Sequence, residues 1–304
     1  MSWQSAEEPE AKTAAACKAL EQVIVPRPRD IGGFDVRRVL PARERQSVGP
    51  LVFLDQIGPA ELAPGAGIDV RPHPHIGLAT VTYLFAGSIV HRDSLGSVQS
   101  IEPGAVNWMT AGHGIVHSER SDRDLRMHRQ ELYGIQIWVA LPKQYEETDP
   151  DFTHYAATSL PVIEGEGAEI RVIAGSLFGK TSPVKTFSEL FYGAATLQSG
   201  ASFALDSKYQ ERAIYVLDGT VLIAGQPFES GRLLVFATGD AISVKASSAT
   251  RILLIGGEPL DGPRYLWWNF VSSSRERIEA AKADWKAGRF PSVAGDLEFI
   301  PLPA

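Results

Sequence analysis

The amino-acid sequence predicts an all-β protein with one short helix near its C-terminus. Short apolar runs recur along the chain, and turns that contain glycine or aspartate separate them. That pattern is typical of a β-sandwich or a β-barrel. The clearest helical signal lies at residues 275–288, where apolar side chains recur at helical spacing after a run of serines. The 304 residues suffice for two domains of ordinary size.

Composition narrows the class of protein. Apolar residues make up 44% and charged residues 21%, as in globular proteins, and the net charge of −7 argues against a general nucleic-acid binder. No apolar run approaches the roughly 18 residues of a membrane span, and no signal-peptide pattern begins the chain. The one cysteine, Cys17, precludes an internal disulfide. We therefore expect a cytoplasmic protein without a membrane or nucleic-acid partner.

The polar, turn-rich stretch 142–150 predicts the boundary between two domains. Residues 1–22 are expected to form an N-terminal arm, loose or with a short helix in its alanine-rich part, residues 11–20. Residues 23–145 would form the first barrel. Residues 146–304 would form the second barrel together with the C-terminal helix and an extended tail.

Fourteen runs of β-forming residues are predicted as strands. In the first half they are residues 23–25, 34–40, 51–55, 80–85, 105–109 and 135–141. In the second half they are residues 170–174, 190–194, 201–205, 212–217, 221–224, 233–236, 241–244 and 252–256. Gly32–Gly33 is predicted as a turn and residues 59–67 as a loop. The run Ser272-Ser273-Ser274 can cap the helix, Glu276 could complete a capping box with Ser273, and Gly288 would end the helix.

The strongest functional pattern lies between residues 71 and 119, which hold five of the seven histidines. Residues i and i+2 of a strand point to the same face. His73 and His75 therefore share a face, and so do His117 and Glu119. Two antiparallel strands that present both pairs to one interior would bring three imidazoles and a carboxylate together, which predicts a mononuclear metal site. These ligands suit iron, manganese, nickel, copper or zinc, and the absence of thiolate disfavours a closed structural zinc site.

The two halves resemble each other around two glycine turns, at Gly87 and Gly219. His73 and His75 precede the first turn by fourteen and twelve residues, and the same offsets before Gly219 fall on Leu205 and Ser207. Neither residue is a good metal ligand, so the second barrel is expected to lack metal ligands.

The other histidines and one aromatic pair have simpler interpretations. His113 is expected to be a loop residue, His91 to hydrogen-bond within its own turn, and His128 and His154 to lie on the surface. Glu119 alone could be a surface acid, and only its spacing from His117 argues for a ligand. The pair Trp267–Trp268 is expected to be a packing element.

Two motifs resemble those of the pirin family within the cupin superfamily. The first is His73-Pro74-His75, followed by a glycine and a strand, and the second runs unbroken from Trp108 to Glu119. The resemblance implies a bicupin, with two β-barrels or double-stranded β-helices face to face. It also implies a mononuclear metal, usually iron, held in the N-terminal barrel by His73, His75, His117 and Glu119. At Ala79, where many cupins have a glutamate, this chain departs from the pattern.

The resemblance implies two alternative functions. One is a quercetin 2,3-dioxygenase-like oxidoreductase, in which a flavonol and O₂ react at the metal and Glu119 serves as the catalytic base. The other is a non-enzymatic iron-dependent redox sensor that binds a protein partner. A bicupin that binds some other small molecule is a third interpretation.

Overall fold

The structure is a computed structural model that describes residues 11–13, 18–31 and 34–303, with only the backbone given for residues 11–13. The strands that precede residue 142 are β1 Ala11–Thr13, β2 Leu20–Ile24, β3 Arg27–Asp30, β4 Asp35–Leu40, β5 Leu51–Leu62, β6 Asp69–His75, β7 Leu78–Ala86, β8 Ile89–Asp93, β9 Val98–Ile101, β10 Val106–Thr110, β11 Ile115–Arg120 and β12 Gln130–Ala140. The later strands are β13 Asp151–Tyr155, β14 Val162–Gly165, β15 Ala168–Leu177, β16 Lys180–Thr181, β17 Leu190–Leu197, β18 Ser202–Leu205, β19 Glu211–Asp218, β20 Thr220–Ile223, β21 Gln226–Glu229, β22 Arg232–Phe236, β23 Ile242–Ala246, β24 Thr250–Gly257, β25 Tyr265–Trp267 and β26 Phe270–Ser272. Helix α1 spans Arg123–Arg126 and helix α2 spans Arg275–Lys286. These elements confirm the all-β class with a short C-terminal helix.

The first barrel consists of two sheets. The larger has the strand order β13-β10-β7-β12-β5-β4-β3, and the smaller has the order β6-β11-β8-β9. The smaller sheet carries both histidine motifs, on β6 and β11. Strand β13 pairs with β10 although it follows the boundary predicted near residue 145.

The second barrel also consists of two sheets. The larger has the order β1-β2-β22-β19-β24-β17-β15-β14, with β16 beside β15, and the smaller has the order β18-β23-β20-β21. Its N-terminal strands β1 and β2 come from the stretch for which the sequence predicted a loose arm or a short helix. That prediction is wrong for residues 11–13 and 20–22, because β1 pairs with β2 and β2 pairs with β22 of this barrel, where Leu20 is buried.

The large sheets of the two barrels pack face to face. Alternate side chains of β5, β7 and β12 enter this shared core, among them Leu54, Val81 and Ile137, and they meet Tyr215 and Ile255 of the second barrel. Alternation leaves the other face of each strand for the interior of the first barrel. The expected face-to-face arrangement of two barrels is therefore confirmed. The boundary at residue 145 stays a prediction, and three strands cross it: β1 and β2 join the second barrel, and β13 joins the first.

The C-terminal segment returns to the first barrel. The β25–β26 hairpin reaches β6 through a bridge between Phe270 and Ile76. Trp268 is buried against Phe270 and Trp285 of α2, so the expectation that the tryptophan pair serves packing is confirmed. The tail continues without regular structure, and the Ile300 amide donates to the Pro72 carbonyl at 2.8 Å.

Two local predictions are corrected by the structure, and a third concerns residues that it does not describe. The N-cap of α2 is Ser274, whose hydroxyl accepts from the Arg277 amide, rather than Ser273, whose amide and hydroxyl donate to Glu146. Strand β5 continues through Leu62, so the loop predicted for residues 59–67 is shorter, because pairing with β12 extends the strand. The predicted turn Gly32–Gly33 lies outside the described residues.

Among the described residues, no helix has both the length and the apolar character to cross a membrane.

Gly77 joins the ligand strand β6 to β7 and cannot tolerate a side chain. Its φ is +68°, and an added Cβ would lie 1.9 Å from the carbonyl oxygen of Val271. We expect Gly77→Ala to lower the free energy of unfolding by more than the ~1–3 kcal/mol that left-handed backbone strain alone costs. Urea unfolding measures the loss.

Gly96→Ala is the matched control. Gly96 has a φ of +90° but has no atom within 4 Å of an added Cβ, so its substitution adds strain without overlap. Equal losses for the two variants would show that the contact with Val271 does not constrain the turn.

Candidate metal centre

Three histidines converge inside the first barrel. Strands β6 and β11 pair antiparallel, with His73 opposite His117 and His75 opposite Ile115. The ligating nitrogens of His73, His75 and His117 lie within 4.8 Å of one another, and each residue is only 1% exposed. The structure therefore brings together three of the four predicted ligands, and among the described residues they form the only such cluster.

The Nδ1 atoms of the three rings have different surroundings. The Nδ1 of His73 lies 2.8 Å from the Arg71 carbonyl, to which it donates, and this leaves Nε2 free. The Nδ1 of His75 faces the backbone of Asn269, outside normal hydrogen-bond geometry. The Nδ1 of His117 contacts another histidine, His91, at 3.3 Å.

The inner nitrogens point at one another. The Nε2 atoms of His75 and His117 are 3.1 Å apart in a buried space. Two neutral imidazoles that both present lone pairs there need a proton or a cation between them. Three nitrogen donors with no thiolate fit a divalent first-row transition metal, so the residues present fit the group that the sequence predicted.

Burial keeps these imidazoles neutral. The pKa of His73, His75 and His117 lies well below the ordinary value of 6.5, chiefly because burial disfavours the charged form. The neighbouring histidines His73, His75 and His91 lower the pKa of His117 further. Neutral imidazoles are the form that ligates metals.

Glu119 is buried on the same strand but has protein partners of its own. The Gln136 Nε2 donates to both carboxylate oxygens at 2.9 Å, and the Thr82 hydroxyl donates to Oε1 at 3.3 Å. Glu119 is 7% exposed, so it is not a surface acid. It lies outside the three-histidine cluster, and its role as the fourth ligand stays a prediction.

A small cavity adjoins Glu119. Its volume is about 10 Å³, which is room for one water molecule. Besides Glu119, it is lined by the polar residues Asp55 and Gln136 and by the aliphatic residues Ile31, Val36, Ile57, Ile68, Val70 and Ile89. The walls are therefore mainly apolar, with polar groups gathered on the Glu119 side.

The remaining histidines differ in how far they match their plain interpretations. The side chain of His113 is 52% exposed beside Asp149, and His128 is exposed, as expected. His154 is half-buried, and its Nδ1 lies 2.7 Å from the Asn107 side-chain oxygen, a contact that the sequence did not predict. His91 bonds the nearby Asp93, but both lie on strand β8 rather than in a turn, and the contact of His91 with His117 was not predicted.

Gln136 and Thr82 are further residues that the sequence analysis missed. They are cross-strand partners on β12 and β7, and both donate to Glu119. Gln136 carried one usable signal, since it is the one polar residue in the apolar run 135–141. A buried amide in such a run requires a hydrogen-bond partner.

The lowered histidine pKa values predict a pH dependence for the metal-free protein. The unfolded chain takes up protons near pH 6.5 that the folded chain refuses, so the free energy of unfolding should fall as the pH falls below about 6.5. Each histidine contributes at most about 1.4 kcal/mol per pH unit. Urea unfolding between about pH 8 and pH 5 measures the slope. His117→Asn should make it shallower and His128→Asn should not, and identical slopes in all three proteins would contradict the assignment.

Known proteins match this chain along most of its length. The profile of the pirin family matches residues 33–139, and that of the pirin C-terminal cupin domain matches residues 192–291. A pirin-like protein of Caulobacter vibrioides is 50% identical over 288 residues, which cover 93% of this chain and 99% of the relative. A crystal structure of quercetin 2,3-dioxygenase from Acinetobacter baumannii superposes with a TM-score of 0.86 at 35% identity and covers 93% of this chain and 95% of its own. A second structure of that description superposes with a TM-score of 0.85 at 29% identity, covering 91% and 99%. These matches confirm the expected bicupin fold, and the chain belongs to the pirin family.

Proposed function

We propose that this protein is a metal-dependent dioxygenase that oxidises a flavonol such as quercetin with O₂, by ring opening of the quercetin 2,3-dioxygenase type. The observation that carries the proposal is the buried convergence of three imidazole nitrogens from β6 and β11, with the buried carboxylate of Glu119 two residues after His117. The similarity to two quercetin 2,3-dioxygenase structures supports the reaction class.

His73, His75, His117 and Glu119 would hold one mononuclear metal, for which iron is our first choice. When bound, the metal would supply a Lewis acid for a chelating hydroxyl and a redox centre for O₂. Nitrogen and carboxylate donors suit manganese, nickel, copper and zinc as well, and affinity alone does not select iron. Elemental analysis of protein purified without added metal identifies the element.

Glu119 is our candidate for the catalytic base. It lines the cavity, so one of its oxygens can accept the proton that a substrate hydroxyl loses. Gln136 donates to both oxygens and Thr82 to one, and these bonds fix the orientation of the carboxylate. A fixed acceptor needs little reorganisation when the proton moves.

The size of the cavity favours a second candidate function. A three-ring flavonol is far larger than the one water molecule that the cavity holds, so binding it requires the aliphatic wall to move. A redox sensor needs no such space, because the oxidation state of iron would alter affinity for a protein partner through differential contacts. Affinity capture with oxidised and reduced protein tests this alternative, and identical partners in both states would count against it.

Replacement of Glu119 tests the base. Glu119→Gln keeps the shape of the side chain but cannot accept the proton, so we expect flavonol-dependent O₂ uptake to fall by about 10²–10⁴-fold. Metal content measured on the same samples separates loss of the base from loss of a ligand. Oxygen consumption and decay of the flavonol absorbance are the measurements.

Two variants serve as controls for this experiment. Glu131→Gln alters an exposed carboxylate on β12, the strand that carries Gln136, and should leave turnover unchanged. His117→Ala should lose both metal and turnover. If no metal gives wild-type turnover above that of His117→Ala, the dioxygenase proposal is wrong.

Enlargement of the cavity tests whether its wall limits substrate size. Ile31 is only partly buried, so Ile31→Ala costs less stability than truncation of a fully buried isoleucine. We expect a higher kcat/KM for the flavonol in Ile31→Ala. Ile163→Ala makes the same change at a partly buried site in the second barrel and should have no effect. An unchanged kcat/KM for Ile31→Ala would mean that this wall is not the barrier.

A further inference from the structure

His117 is backed by a second buried histidine and a buried carboxylate. The His91 Nδ1 lies 3.3 Å from the His117 Nδ1, and the His91 Nε2 lies 2.9 Å from Asp93 Oδ2. His91 is 4% exposed and Asp93 is 1% exposed. The pairing of β8 with β11 sets this row, since Asp93 lies opposite His117 and His91 opposite Glu119.

The carboxylate is anchored from its other side. Asp93 Oδ1 accepts from the amides of Leu95 at 2.9 Å and Ser97 at 3.0 Å. Burial alone would raise the pKa of Asp93, but the bonds from His91 and Ser97 outweigh it and leave the pKa below its ordinary value. Phe152 stacks on the His91 ring, with centroids 4.2 Å apart and planes 9° from parallel. The ring therefore has one orientation between its two partners.

The direction of each hydrogen bond follows from the charge at one end of the row. A carboxylate only accepts, so the His91 Nε2 must donate to it. In neutral His91, the Nδ1 is then an acceptor, and the His117 Nδ1 must donate to it. The Nε2 of His117 is left with its lone pair, and this is the nitrogen that faces His75.

We propose that Asp93 and His91 are positioning residues that hold His117 in its Nδ1–H tautomer, so that its Nε2 lone pair is presented to the metal. This inference rests on the metal site proposed above. The Arg71 carbonyl has the same effect on His73 through one bond. His117 instead bonds His91, which in turn bonds Asp93. The tautomer of His117 therefore depends on the Asp93 carboxylate, two hydrogen bonds away.

Asp93→Asn reverses the direction of the hydrogen bonds from residue 93 through His91 to His117 without removing them. The Asn oxygen can still accept from Leu95 and Ser97, while the amide nitrogen donates to the His91 Nε2. His91 must then carry its proton on Nδ1, which requires the His117 Nδ1 to accept and its Nε2 to be protonated. We expect about 10–100-fold weaker Zn²⁺ binding, measured by competition with a chelator on the full chain after metal removal.

A spectroscopic measurement on the metal-free wild-type protein tests the same inference without a variant. ¹⁵N chemical shifts of the imidazole nitrogens distinguish the two tautomers, and His117→Asn assigns the signals. His117 should be protonated at Nδ1 in the wild type and at Nε2 in Asp93→Asn. An Nε2–H tautomer in the wild type would overturn the proposal even if Asp93→Asn failed to fold.

Asp151→Asn is the matched control. It removes the same charge from the same barrel, next to Phe152, but Asp151 is exposed and its carboxylate accepts only from the Thr153 hydroxyl among the described residues. Zn²⁺ affinity should not change. Wild-type affinity in Asp93→Asn would overturn the positioning role and leave the metal site intact. Failure of the wild type to bind metal would instead overturn the proposed function, and the tautomer would still decide the role of Asp93.

Discussion

The antiparallel pairing of β6 with β11 is the contact on which the candidate site depends. It places His73 directly opposite His117, and the two-residue repeat of a strand brings His75 to the same face. Burial then keeps the three imidazoles neutral, because water cannot solvate an imidazolium there. Three neutral rings with lone pairs turned inward are costly to bury unless a cation joins them. The geometry of the cluster therefore fits a bound cation, as the sequence predicted.

The second barrel contributes none of the three clustered histidines, yet the segment that follows it supports β6 and β11. Phe270 bridges to Ile76, the residue after His75, and Ile300 bonds the carbonyl of Pro72, the residue before His73. Arg120 at the end of β11 forms ion pairs with Asp296 and Glu298 of the tail. Both ligand strands are therefore held from outside by residues that follow the second barrel. This explains how a half without metal ligands can still determine the geometry of the site.

The convergence of His73, His75 and His117 could be predicted because the alternation of side chains between the two faces of a strand depends only on local sequence. The strand class of most elements was predictable for the same reason, since apolar runs between turns are local too. Cross-strand register is not local. Gln136 contacts Glu119 because β12 pairs with β7 at Thr82, and His91 contacts His117 because β8 adjoins β11. Within the alanine-rich stretch 11–20, sheet pairing overrides helical propensity at residues 11–13, because β1 pairs with β2, which in turn pairs with β22.

Alternation along β7 explains why the departure at Ala79 does not reach the site. Thr82 faces the interior of the first barrel, where it donates to Glu119. Ala79 and Val81 face the opposite way, into the core shared by the two barrels. A glutamate at position 79 on this strand would be buried among apolar side chains of the second barrel, where an unpaired carboxylate is costly. An acid at position 79 would therefore not face the histidine cluster. Glu119 is the buried acid on β11, and Gln136 from β12 and Thr82 from β7 hold its carboxylate.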